Sequence, residues 1–150
     1  MKKMVTGLVG ALALGAVAAA SAADYVENYQ EIVKQADWKA METVTIQMDE
    51  FSYDGKLTFE SGKAYKIELK NVGEKKHYFT APEFFKKIAT RKAQVNDQAE
   101  IKADYFTAIE VLPGGQLDLY FVAHEKGEFP VYCTIDDHRD EGMEEIITVK

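Results

Sequence analysis

Val131-Tyr132-Cys133-Thr134-Ile135-Asp136-Asp137-His138-Arg139-Asp140-Glu141-Gly142-Met143 sets a thiol, an imidazole and a thioether at equal intervals, Cys-x4-His-x4-Met. Phe129 to Cys133 reads as a strand leading into it, and Ile146-Ile147-Thr148-Val149 closes the chain as the strand that follows. A loop joining neighbouring strands brings its two ends together, so Cys133, His138 and Met143 can be gathered round one point. Upstream, Tyr65, Ile67 and Leu69 alternate with Lys66, Glu68 and Lys70, the period of a half-buried strand. Asn71-Val72-Gly73-Glu74-Lys75-Lys76-His77 then places a second histidine just past the end of that strand.

The rest of the chain supplies further short strands and turns. Val44, Ile46 and Met48 alternate with Thr45 and Gln47. Asp54-Gly55, Ser61-Gly62 and Pro113-Gly114-Gly115 are turn signals. Leu117, Leu119 and Phe121 form another alternating run, and His124-Glu125-Lys126-Gly127 reads as a loop. Tyr25, Tyr29, Ile32, Val33 and Ala36 recur at helical spacing, which predicts a helix from Asp24 to Ala40 covering one end of the domain. Thr80-Ala81-Pro82-Glu83 has the capping-box pattern of a second, short helix carrying Phe84, Phe85 and Ile88. Arg91 to Ala108 reads as irregular structure or short strands around Val95 and Ile101. The sum is an all-β sandwich with an N-terminal helix and a short inserted helix.

Composition narrows the chemistry. The chain has 150 residues, a formal net charge of −7, one cysteine and three histidines. One cysteine rules out an intrachain disulfide, a four-cysteine zinc or iron–sulfur site, and a copper centre needing two thiolates. Three histidines cannot furnish a trinuclear copper cluster. The acidic balance argues against nucleic-acid binding, which wants clustered Lys and Arg. No nucleophile–base pair and no phosphate-binding loop stands out, so no enzymatic role is expected.

Met1-Lys2-Lys3-Met4, the apolar run Val5 to Ala20 and the small residues Ala20-Ser21-Ala22 have the order of a cleaved export signal. Residues 1–22 are therefore expected to be a signal peptide, 23–43 a helical extension and 44–150 the folded domain. The signal would be the chain's only membrane contact, and the mature protein periplasmic. A lone thiol in an oxidising compartment calls for an explanation, and metal ligation is one.

A thiolate, two imidazoles and a thioether form a soft donor set suited to copper. On His77 and the Cys133–His138–Met143 loop the sequence resembles a cupredoxin, a small exported type 1 copper protein. The spacing is like that of rusticyanin and auracyanin, and the resemblance covers roughly Val44 to Lys150. It implies a Greek-key sandwich of eight or so strands holding one copper ion, cycling between Cu(I) and Cu(II). His77 and His138 would be equatorial ligands, Cys133 the thiolate and Met143 the axial ligand. Asp136-Asp137 replace the Pro-Gly common before the second histidine, and Arg139, Asp140 and Glu141 charge a rim that is often apolar around an exposed histidine. The implied function is one-electron carriage, as a monomer, between protein redox partners such as a cytochrome or oxidoreductase. The alternative is a copper-handling protein for delivery, storage or metal uptake, which the acidic 136–141 loop keeps open. His124 and Trp38 are read as a solvated loop residue and a packing residue.

Overall fold

The structure, a computed structural model, describes residues 24–150; the expected signal peptide, residues 1–22, lies outside the described residues. The first half carries α1 (Tyr29–Gln35), β1 (Glu42–Asp49), β2 (Ser52–Gly55), β3 (Thr58–Phe59), β4 (Ala64–Asn71), β5 (His77–Thr80) and α2 (Pro82–Lys86). The second half carries β6 (Ile88–Val95), β7 (Ala99–Ile101), β8 (Ala108–Val111), β9 (Gln116–Ala123), β10 (Gly127–Tyr132) and β11 (Glu144–Val149). They form a six-stranded sheet, β2-β1-β4-β9-β6-β7, and a five-stranded sheet, β3-β11-β10-β5-β8. The chain crosses between sheets from β2 to β3, β3 to β4, β4 to β5, β5 to β6, β7 to β8, β8 to β9 and β9 to β10, giving a Greek-key sandwich. Parallel pairs β1–β4 and β3–β11 sit among otherwise antiparallel neighbours.

The alternation read in β4 is realised. Tyr65, Ile67 and Leu69 are fully buried between the sheets, and Lys66, Glu68 and Lys70 point the other way. On that outer face Lys66 bridges Glu68 at 2.9 Å and Asp118 at 3.3 Å, and Lys70 meets Glu68 at 3.0 Å. Inside, Phe59, Tyr65, Phe84 and Phe121 interlock, with Phe59–Tyr65 centroids 4.9 Å apart and Phe59–Phe121 5.5 Å apart. Each such ring buried contributes roughly 1.5–3 kcal/mol, so this cluster anchors the two sheets.

Three local expectations are corrected. The first helix is only Tyr29–Gln35: buried Val26 donates its N–H to the Lys86 carbonyl at 3.1 Å, holding the approach out of helix. At its other end Ala36 is extended, and the Asp37 carboxylate accepts the N–H groups of Lys39 (3.0 Å) and Ala40 (3.3 Å), an Asx turn. This helix lies on the outer face of the six-stranded sheet, at one end of β4, β6 and β9. Ile32, Val33 and Trp38 cover Ala64, Ala89 and Val122 there. The capping box does not form: Ala81 is the N-cap of α2, and the buried Thr80 hydroxyl has no partner among the described residues.

Asp54-Gly55 is not a turn but the end of β2, whose hairpin with β1 turns at Glu50-Phe51. A Cβ on Gly55 would run into the Thr45 carbonyl, so the glycine permits close strand approach. The short strands read around Val95 and Ile101 are present, paired as the hairpin β6–β7, which reverses at Asn96 and Asp97 with φ of 49° and 54°.

Candidate metal centre

The sandwich gathers its chemistry where β10 hands over to β11. Cys133 follows the last residue of β10, and Met143 precedes the first of β11. The Cys133 N–H donates to the Met143 carbonyl at 3.1 Å and closes the mouth of the loop. Within it, the His138 N–H donates to the Ile135 carbonyl and the Met143 N–H to the His138 carbonyl, both at 2.9 Å. Gly142, at φ 103°, makes the turn back towards β11, a conformation that side chains resist. From the other edge of β10, strand β5 brings His77, its first residue, in register with Val111 of β8.

These elements point three donors at each other. Cys133 Sγ lies 3.5 Å from His138 Nδ1 and 4.0 Å from His77 Nδ1, and the three donor atoms all fall within 4.8 Å of one another. Cys133, His77, His138 and Met143 are all buried. His124 is not brought to this cluster; its carbonyl accepts the Ser61 hydroxyl on a loop elsewhere.

A supporting layer surrounds the donors, and sequence reading found none of it. The Tyr78 N–H points at Cys133 Sγ, 3.4 Å away. The buried Tyr53 hydroxyl donates to the carbonyl of the same Tyr78, and burial pushes that phenol's pKa well up, so it stays a donor. Glu50 Oε1 stands 3.1 Å from His77 Nε2, and Phe51 and His138 pack edge to face with ring centroids 5.0 Å apart. One hairpin turn thus roofs both imidazoles. Burial pushes the His77 imidazolium pKa down, the Glu50 carboxylate opposing it, which favours the neutral ring a metal needs. Lys75 and Glu74 N–H groups hold the Glu50 carboxyl down at about 2.

Where the resemblance implies an exposed second histidine, His138 is fully buried, and its Nε2 has no hydrogen-bond partner among the described residues. The loop around it keeps Asp136, Asp137, Asp140 and Glu141 in solvent. Arg139 turns away to Glu144 (2.8 Å) and lies 4.1 Å over the Tyr132 ring.

The residues fit a copper ion. One sulfur and two imidazole nitrogens converge in a water-excluded pocket beside a buried thioether residue, the soft, mixed set that selects copper. Their mutual spacing leaves one ion within reach of all three donors.

No protein-family model matches the chain, and comparison with curated proteins finds no match. Solved structures do match in fold. A multicopper oxidase superposes with a TM-score of 0.59 at 15% identity, over 73% of this chain and 44% of that one. A Cu-containing nitrite reductase from Thermus scotoductus SA-01 gives 0.55 at 10% identity, over 84% of this chain and 33% of that one. An auracyanin from Roseiflexus castenholzii gives 0.47 at 19% identity, over 77% of this chain and 98% of that one. The chain spans less than half the length of the two enzymes. The sandwich has the cupredoxin fold, and its His77, Cys133, His138 and Met143 cluster is consistent with a type 1 copper site.

Proposed function

We propose that the protein is an exported, monomeric, periplasmic carrier of single electrons between protein redox partners such as a cytochrome and an oxidoreductase. The observation that carries this reading is the convergence of Cys133 Sγ with the Nδ1 atoms of His77 and His138 in a buried pocket. His77, Cys133, His138 and Met143 would hold the copper ion, which supplies the Cu(II)/Cu(I) couple.

The protein's part is to keep those donors still. His77 is fixed by strand pairing and Glu50, His138 by its own loop bonds and Phe51, and Cys133 by Met143. Donors that cannot relax to suit either oxidation state lower the reorganisation an electron has to wait for. The Tyr78 N–H directed at the sulfur stabilises charge on it, which is one lever on potential. The core that buries the site excludes water as a competing ligand.

Copper delivery or storage is the other reading of the same ligands, favoured by the acidic residues 136–141 in solvent. Burial of every donor supports the carrier: a site built to surrender its ion needs an open face.

The test uses the chain from residue 23 loaded with one equivalent of Cu(II). A carrier is intensely coloured, bleaches with a one-electron reductant, recovers with an oxidant and keeps its copper against a Cu(I) chelator through the cycle. A colourless protein that yields its copper to the chelator on reduction would replace this reading with delivery.

A further inference from the structure

Glu50 lies 27 residues from His77 in the chain, and nothing in the ligand motif asks for it. Yet its carboxylate has a made-to-measure seat. The Lys75 N–H donates to Oε1 at 2.7 Å and the Glu74 N–H to Oε2 at 3.3 Å. Gly73 leaves the space: a Cβ there would stand 2.6 Å from Oε1, 2.7 Å from Oε2 and 2.9 Å from Cδ. Asn71, buried at the end of β4, shapes the seat by accepting the Gly73 N–H (3.0 Å) and donating to the Lys75 carbonyl (2.8 Å). From this seat Oε1 reaches His77 Nε2 at 3.1 Å, on the side of the ring opposite the nitrogen that faces Cys133.

We propose that Glu50 is a positioning residue for the metal centre: seated on the Gly73–Lys75 backbone, it takes the Nε2 proton of His77 in a hydrogen bond, so that Nδ1 presents its lone pair towards Cys133. An imidazole can place its proton on either nitrogen, and only the Nε2–H form leaves Nδ1 free to ligate. The carboxylate selects that form, fixes the ring plane and raises the basicity of Nδ1. Its fixed negative charge beside the site also favours Cu(II) over Cu(I). The effect on copper rests on the proposed function; the effect on the ring does not.

The experiment compares the wild type with Glu50→Gln and Gly73→Ala. The second keeps Glu50 but pushes its carboxylate out of the seat, which a flexible side chain can yield to without unfolding the domain. On metal-free protein, long-range proton–nitrogen NMR of the His77 ring reads the tautomer directly. The wild type should show Nε2–H alone, and both variants a mixture. On copper-loaded protein, both variants should lose about 10–100-fold in Cu(II) affinity. Each tenfold by which Cu(II) loses more than Cu(I) raises the potential by about 59 mV. Unchanged ring signals in both variants overturn the proposal, whatever copper does. Failure of the wild type to bind copper would overturn the carrier reading and leave the ring result to decide this one.

Discussion

Asn71 offers the sharpest test of how the fold holds its metal-binding end. Its side chain is 2% exposed and makes three hydrogen bonds at once: Nδ2 to the Lys75 and Val111 carbonyls, both 2.8 Å, and Oδ1 from the Gly73 N–H at 3.0 Å. It therefore ties β4 to β8 and to the turn that leads into His77. Replacing it with alanine strands three backbone groups. The Val111 carbonyl is buried and bears the full desolvation cost, about 1–3 kcal/mol. The Lys75 and Gly73 groups lie nearer solvent and lose only the ordinary net bond, about 0.5–1 kcal/mol each. The sum for Asn71→Ala is a loss of roughly 2–5 kcal/mol. Asn71→Asp should cost more at neutral pH, because it sets a carboxylate oxygen against two carbonyls.

The assay is urea denaturation of the metal-free protein, read by tryptophan fluorescence and circular dichroism. The midpoint should fall with an unchanged slope, so that stability and not compactness has changed. A loss below about 0.5 kcal/mol, the size of an ordinary surface substitution, would refute the three-bond account. So would Asn71→Asp matching Asn71→Ala.

Two further outcomes are expected. Cys133→Ser should abolish visible colour in the copper-loaded protein, while Met143→Leu should keep copper and colour and shift the potential, as absorption spectra and voltammetry will read; negligible effects from both would contradict the ligand assignment. Glu68 is held down at about 2, first by its hydrogen bond to Lys66 and then by Lys70, against an ordinary value of 4.5. Its folded pKa is the lower one, so its contribution is complete above about pH 4.5 and disappears as pH falls towards 2. Glu68→Gln should thus cost ~1 kcal/mol or less at neutral pH, and its stability should converge with the wild type in acid; a constant gap down to pH 2 would remove the ion row from the account.

The sandwich was legible because strands such as β4 are buried on one face and wetted on the other, so their sequence alternates. The Cys133–Met143 loop was legible because all three residues sit on one short connection. Strand β6 was legible only near Val95, and burial explains why its start was not: Ile88, Ala89 and Thr90 are buried in succession, with the core on one side and the first helix on the other. Alternation vanishes when both faces are covered, and the register shift between Thr90 and Lys92 erases what remains. Its hairpin turn, Asn96-Asp97, lacks the glycine that usually marks one.

Glu50, Phe51 and Tyr53 were hidden for a different reason. They reach the site through tertiary proximity, from a hairpin whose Asp54-Gly55 signal misplaced the turn. A carboxylate in a strand-to-strand turn looks like any solvated acid until the fold sets a histidine 3.1 Å away.

Copper-edge X-ray absorption on the loaded protein tests the whole account most directly. It should show one short copper–sulfur shell from Cys133 together with two imidazole nitrogens, and the sulfur shell should vanish in Cys133→Ser. A first shell of oxygen and nitrogen alone in the wild type would contradict it.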